Sequence, residues 1–399
     1  MGTATQGTTI TQTFRITNSG QAAANVSAFA ALGSGFSYPN VAFTGGAVAP
    51  ECTNIIAGSS TCDVTIQYLA GAPGAVNSDV DVDYSDGAGG TINLTQQLDA
   101  ISLSTALLTM VPTDDPLNFG DVAEGGLATQ TFTVTNTGES EATAINFSVA
   151  GTAGPGVYVR NGGTCGTNLV GGIGANCTVI LEYRPPAASA PLVHNDNYTL
   201  AYNNGAVPDS ISRNLQGSSV APGGLTLISG NPAYGNRPTG STLTRLFTVE
   251  NTGGVTLTSL NEGAPILGSD FAYSGAGYPG SGGTPCSAGT TLAVGATCTF
   301  EVSYNPVLQA AHASDVNVTF DDGTIAAAGT YAISLTGTGV APADLEFVNI
   351  GTTNDFNPQT VTTTVTRSYE IRNDGGFEAT SIGGTLAGTS GGQFVFTAP

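Results

Sequence analysis

The sequence predicts an all-β chain of antiparallel β-sandwiches in tandem. Three observations carry this. Two cysteines around a turn, followed by an alternating strand, occur three times, at residues 52–68, 165–185 and 286–306. An aromatic-centred strand ending in a turn occurs four times, and its aromatics Phe14, Phe132, Phe247 and Tyr369 lie 118, 115 and 122 residues apart. The helix-favouring residues Glu, Gln, Met and Leu are sparse among Gly, Thr, Ser, Ala and Asn. A period of that length is one Ig-sized sandwich.

Each element follows in order. The aromatic strands read TFRITNSG (13–20), TFTVTNTG (131–138), LFTVENTG (246–253) and SYEIRNDG (368–375). Phe or Tyr and the Ile or Val two residues on share a strand face and are candidate core. Asn, a small residue and Gly then predict a turn with positive φ. A variable segment follows, with Val26, Phe29, Phe36 and Tyr38 in the first repeat, Ile145, Phe147, Val149 and Tyr158 in the second, and Leu257, Leu260, Phe271 and Tyr273 in the third. It reads as two strands with a Gly-rich connection. Beyond the second cysteine the alternation is strict: Cys62, Val64, Ile66 and Tyr68 share one face, as do Cys177, Val179, Leu181 and Tyr183, and Cys298, Phe300, Val302 and Tyr304. Pro185 and Pro306 end two of these strands. Asp86-Gly87, Asn204-Gly205 and Asp322-Gly323 sit in the turns of the last hairpins, and strands at 92–98, 211–215 and 333–335 close the repeats.

Opening strands are expected at 106–111, 225–228 and 345–348, after short joints such as 217–222 and 337–342. The first repeat has no such opening strand. The divisions are 1–103, 104–220 and 221–340 for three Ig-like repeats and 341–399 for the N-terminal part of a fourth. At ~3.3 Å per residue and ~10 residues per strand, such a series makes an elongated rod of more than ~100 Å.

Composition narrows the function classes. All eight basic residues are Arg, and with 29 acidic residues the net charge is −21. Such a surface disfavours nucleic acid and anionic membranes. Without Lys there is no Schiff-base lysine, no P-loop lysine and no Lys–Asn isopeptide bond. Six cysteines in three equally placed local pairs, Cys52/Cys62, Cys165/Cys177 and Cys286/Cys298, point to disulfides and an oxidising compartment. Zinc fits poorly, since no pair has CxxC spacing and only two histidines exist. No run of 18 apolar residues predicts a membrane span. Met1 leads into GTATQGTTIT, which has neither the basic start nor the apolar core of a leader, so the sequence reads as a mature product or a segment.

LNFG (117–120), the FTVTNTG strand and turn, the C…GA.C.V…Y.P stretch and the closing L.G together resemble bacterial choice-of-anchor D repeats. These are related to the Ig-like repeats of abnormal-spindle and hydin proteins in the PapD-like group of sandwiches. The resemblance covers nearly the whole chain. It implies seven- or eight-stranded Ig-like sandwiches in exported or surface-anchored bacterial proteins, without catalytic residues. The first repeat departs from it, lacking LNFG and a Pro after Tyr68.

Candidate sites are few. Asp79, Asp81 and Asp83 share a strand face with Asp86 in the next turn, and Asp114 and Asp115 stand near a joint with Asp121 and Glu124. Calcium suits such oxygen ligands, but an i, i+2, i+4 row spreads them over ~13 Å, and solvated strand or loop acids are the plainer reading. His194 and His312 occupy equivalent positions, one per repeat, and read as edge or loop histidines. No GxSxG or paired acid–base motif accompanies them. Residues 280–283 (GSGG) open no helix, which speaks against a phosphate cradle. The sequons at Asn146 and Asn197 carry little in a bacterial protein.

No cofactor is expected. The sequence therefore predicts a non-enzymatic extracellular structural protein, a stalk or filament subunit at the bacterial cell surface. Its expected partners are copies of itself, joined head-to-tail by strand complementation of incomplete end domains, or further repeats of a longer chain. The alternative is a surface adhesin that binds a glycan or protein through the Gly-rich loops; the lack of Trp leaves little for sugar stacking.

Overall fold

The computed structural model describes all residues except 40–51, 53–54, 173, 188–190, 276, 326–327, 349, 352–353, 388–392 and 398–399. Thr53, Asn54 and Ile173 of the cysteine stretches, and Pro399, lie outside the described residues. All named elements are strands, and among the described residues no helix is long and apolar enough to cross a membrane. The chain divides into two compact units, one mainly of residues 1–219 and one mainly of residues 220–399.

The first unit holds two sandwiches. In the first, strands β1 (Gly2–Thr5), β3 (Ala24–Phe29), β5 (Ile55–Ile56), β7 (Gly74–Ser85) and β8 (Thr91–Leu103) form a sheet in the order β1-β8-β7-β3-β5. It faces a sheet β2-β6-β4, with β2 at Thr9–Asn18, β4 at Phe36–Ser37 and β6 at Ser60–Leu69. In the second, β10 (Leu117–Ala123), β16 (Pro208–Val220), β15 (Leu192–Asn203) and β12 (Thr143–Val149) lie in that order. The opposing order is β13 (Tyr158–Arg160), β14 (Ala175–Tyr183), β11 (Ala128–Asn136) and β9 (Leu108–Val111).

The second unit repeats this plan. One sheet is β18 (Ala233–Pro238), β24 (Gly329–Val340), β23 (Ala311–Asp321) and β20 (Thr258–Glu262). The other is β17 (Leu225–Ser229), β19 (Leu243–Asn251), β22 (Thr297–Tyr304) and β21 (Phe271–Tyr273). A separate ribbon pairs β25 (Leu345–Val348) with β26 (Glu370–Asn373).

Alternation sets the register. Phe14, Phe132 and Phe247 stand opposite Val64, Val179 and Phe300, and Ile16, Val134 and Val249 stand opposite Cys62, Cys177 and Cys298. Each strand so turns its apolar side to one of three separate cores, gathered from residues 4–100, 106–215 and 225–335. The last hairpins turn on Gly87, Gly205 and Gly323, all with positive φ as the DG and NG pairs predict.

Two expectations change. The first sandwich has no counterpart of β9 or β17 among the described residues, yet it is not without a strand before its aromatic one. Residues 2–5, which lack the LNFG signature, run parallel to β8 as β18 runs parallel to β24. A parallel edge strand needs backbone groups and one inward residue, here the buried Ala4, so four small residues suffice. The Asn-x-Gly turns also differ from the prediction: Gly138, Gly253 and Gly375 have no left-handed φ. Glycine is required there for space, as described next.

Candidate functional site

The feature common to the repeats is a turn socket bordered by the disulfide-held loop. All three cysteine pairs are bonded: Cys52–Cys62, Cys165–Cys177 and Cys286–Cys298, spanning 10, 12 and 12 residues. Among the described residues no cysteine is free. In the second repeat the first cysteine lies beside the strand of its partner, Cys165 N–H donating to the Thr178 carbonyl at 3.1 Å. Cys286 does the same to Thr299 at 3.0 Å. The enclosed loop then crosses to the other sheet. Leu169 pairs with Ala142, and Leu292 with Leu257. In the first repeat β5 pairs with β3. Ile56, Leu169 and Leu292 are buried at these crossings. The disulfide therefore holds a loop that seals one side of each sandwich.

The turn Asn grips that loop. Asn136 Nδ2 donates to the carbonyls of Ser140 (2.9 Å) and Val170 (3.2 Å), and Asn251 Nδ2 to those of Val255 and Leu292, both at 2.9 Å. Asn18 Nδ2 reaches the carbonyls of Ala22 and Ile56 at 2.8 and 2.9 Å. The other amide atom faces the incoming joint. Asn136 Oδ1 accepts from Leu107 N–H, Asn251 Oδ1 from Gly224 N–H and Asn373 Oδ1 from Asp344 N–H, at 3.2, 3.3 and 3.0 Å. The joint backbone also passes directly over the glycine two residues on. A Cβ on Gly138, Gly253 or Gly375 would lie 2.0 Å from the Thr105 carbonyl oxygen, 2.3 Å from that of Pro222 or 1.9 Å from that of Pro342. Sequence reasoning found these glycines and misassigned their cause, since a φ rule cannot see a neighbouring chain segment.

The histidines are not loose edge residues. His194 is buried on β15 and its Nδ1 shares a hydrogen bond with the Tyr183 hydroxyl at 2.8 Å. His312 meets the Tyr304 hydroxyl at 2.8 Å, with an Asp270 carboxylate oxygen 3.8 Å from its Nε2. Across the hairpin His194 and His312 face Gly217 and Gly337. Each tyrosine ring lies over that glycine, and a Cβ there would come within 2.6 or 2.5 Å of the ring. The first repeat has Val76 opposite Ala100, and its Tyr68 hydroxyl bonds Ser102 instead, at 2.5 Å. The Gly in the closing L.G and the His facing it across the hairpin are thus one device, a signal readable only from the strand register. Gly337→Ala is expected to cost the third sandwich about 1–3 kcal/mol by overpacking. Hydrogen exchange on β22 and β24 should show it; unchanged protection would mean that the ring moves aside without cost.

The acidic candidates are held by their own strands. Asp81 accepts from Thr95 at 2.5 Å and Asp83 from Asn93 at 2.8 Å, across the β7–β8 pair. Asp86 caps its turn by accepting from Ala88 N–H, and Asp115 accepts from Asn214 N–H, at 2.8 and 2.9 Å. Asp79 pairs across from Gln97 on the same hairpin, and Asp114 is exposed just before β10. Among the described residues, no group of three or more His, Cys, Asp or Glu side chains converges to hold a metal.

Two buried carboxylates, Glu182 and Asp196, went unnoticed in the sequence. Glu182, on the outward side of β14, accepts from Asn161 and from Arg184 Nε at 2.8 Å. The Asn161 hydrogen bond, and then Arg184, hold it below the ordinary carboxylate range. Its stabilising contribution is present above about pH 4.3 and is lost as pH falls through the depressed value. Glu182→Gln is expected to flatten the acid limb of the second sandwich's stability, read as its melting temperature against pH; an unaltered acid limb would show that Glu182 does not carry it.

At the alkaline end, desolvation pushes the Tyr183 hydroxyl up to about 12 and raises Tyr158 and Tyr234 further. Their contribution is present below the ordinary phenol value and lost as pH rises through the raised ones.

No family model matches the chain, and no curated protein matches it. Similar solved structures include a protein of unknown function from Porphyromonas gingivalis, 15% identical with TM-score 0.22, covering 58% of this chain and 99% of that one. An I-band fragment of titin is 10% identical with TM-score 0.27, over 84% of this chain and 93% of that one. Protocadherin gamma B7 cadherin domains 1–4 are 8% identical with TM-score 0.28, over 75% and 67%. Likeness of this degree carries nothing about activity.

Proposed function

We propose that this chain is a non-enzymatic extracellular structural protein, a stalk or filament subunit that associates head-to-tail. The observation that carries the reading is the turn socket. In each of three successive turns one Asn binds the backbone of the preceding joint and one Gly makes room for it, which makes the joint part of the next sandwich's turn. Three disulfides sealing three sandwiches suit an oxidising exterior. The motif resemblance to choice-of-anchor D repeats supports a bacterial surface setting. Electron microscopy of the purified chain tests this, with regular fibres as the expected result. Isolated particles at every concentration, with a glycan or cell-surface protein captured by single repeats, would transfer the chain to the adhesin reading.

A further inference from the structure

We propose that the first sandwich is an acceptor for strand β25 of a second copy of this chain, which would enter along β2. This rests on the head-to-tail reading and names its contact. Four observations meet at that edge.

First, among the described residues β2 is bonded to β6 alone, whereas β11 and β19 each carry a further antiparallel strand, β9 and β17. Second, the core is open there. Phe132, Val134, Phe247 and Val249 are all 0% exposed, while their counterparts Phe14 and Ile16 are only half-buried. Leu94, at the position where Tyr331 bonds the Leu227 N–H of β17, is 47% exposed. Third, the turn socket is made but unfilled by this chain's described residues. Asn18 Oδ1 accepts only from Gly20 N–H, at 3.0 Å, where its equivalents also take a joint N–H. Fourth, a Cβ on Gly20 would meet nothing but the Asn18 amide oxygen, at 3.3 Å, although the same glycine elsewhere clears a joint carbonyl by about the space of a missing Cβ.

The occupant is specified by the strands that fill the other sockets. Leu-Thr-Met-Val of β9 and Leu-Thr-Leu-Ile within β17 present apolar residues at alternate positions. Leu108, Met110 and Leu225 are buried by their sandwiches. β25 reads Leu-Glu-Phe-Val and follows the same Val-Ala-Pro joint as β17 does. It already lies on β26 in the register that β9 adopts on β11, with Leu345 opposite the turn Asn. Yet Leu345 and Phe347 remain 43% and 53% exposed. Exchange of β26 for β2 of a second copy would keep every ladder bond. It would set Asp344 N–H on Asn18 Oδ1, Leu345 opposite Asn18, Glu346 opposite Thr17 and Phe347 opposite Ile16. This is strand addition with the side chains at alternate positions supplying selectivity.

The test mixes two full-length chains, one carrying Thr17→Cys and one Glu346→Cys. Both substitutions fall on exposed strand positions, and the native cysteines are bonded. Mild oxidation should give the mixed dimer roughly tenfold faster or more than a Thr11→Cys partner does, because docking raises the effective concentration of one thiol beside the other. Adding Phe347→Asp to the Glu346→Cys chain should abolish the gain; Phe347 is exposed, so that chain still folds. Equal rates for the Thr17→Cys and Thr11→Cys partners, or a gain that survives Phe347→Asp, overturn the proposal. Fibres seen by microscopy together with equal rates would overturn this contact and leave the head-to-tail reading standing. A specific mixed dimer without fibres would sustain the contact and remove the filament.

Discussion

Phe132→Ala is expected to cost the second sandwich about 3–5 kcal/mol, the range for a large core aromatic that leaves a cavity behind. Phe132 is fully buried, opposite Val179 across the β11–β14 pair, and its ring stacks on Tyr198 with centroids 5.8 Å apart. Phe14→Ala in the first sandwich removes the same side chain from the same register position. There the ring is only partly buried against its core, so the expected loss is smaller. Hydrogen exchange on β14 and β6 measures the two costs in their own sandwiches. Equal losses would show that the β2 edge is as well packed as the others. Addition of a peptide spanning residues 341–350 should narrow the difference if that edge takes a strand, which makes the pair of variants a reporter as well as a stability measurement.

The second large effect comes from the disulfides. Cys286→Ala together with Cys298→Ala is expected to cost the third sandwich about 3 kcal/mol, the chain-entropy value for a ring of this size. The loss reaches beyond the ring. Leu292 lies within it, pairs with Leu257 on the opposite sheet and holds the carbonyl gripped by Asn251. Loosening the ring therefore frees both the sealed side of the sandwich and the Asn that receives the joint. Exchange at Gly224 N–H, which donates to Asn251 Oδ1, should accelerate along with that at Leu292. If Leu292 alone becomes labile, the loop and the socket are not coupled. Both cysteines are nearly unexposed, so a reductant should act slowly until the sandwich opens.

Most of the fold was legible because it is written in period-two alternation. Cys177, Val179, Leu181 and Tyr183 state their face in the sequence, and the same face recurs in two other repeats. The disulfides were legible for the same reason, since two nearby cysteines recur at the same place in three copies, 10, 12 and 12 residues apart. What escaped depends on contacts between segments distant in sequence. The burial of His194 follows from Tyr183 across the sandwich and Gly217 on the facing strand. The space demanded of Gly138 comes from Thr105, on the preceding joint. The four-residue strand at Gly2–Thr5 has no hydrophobic pattern to announce it, since a parallel edge is defined by its partner's free backbone.

The socket reads main chain only. What it takes from the incoming joint is one N–H and the room for one carbonyl, and the residues supplying them differ: Thr105 and Leu107, Pro222 and Gly224, Pro342 and Asp344. The Asn–Gly socket itself reads no side chain of the joint, although before the second sandwich Ser104 Oγ also accepts from Glu139 N–H at 3.0 Å. Duplication or loss of a whole repeat during evolution would then create no incompatible seam, so array length is free to drift while every junction stays sound. A chain from which residues 104–220 are excised, joining the first sandwich to the third, should fold with the Asn251 socket filled by the new joint.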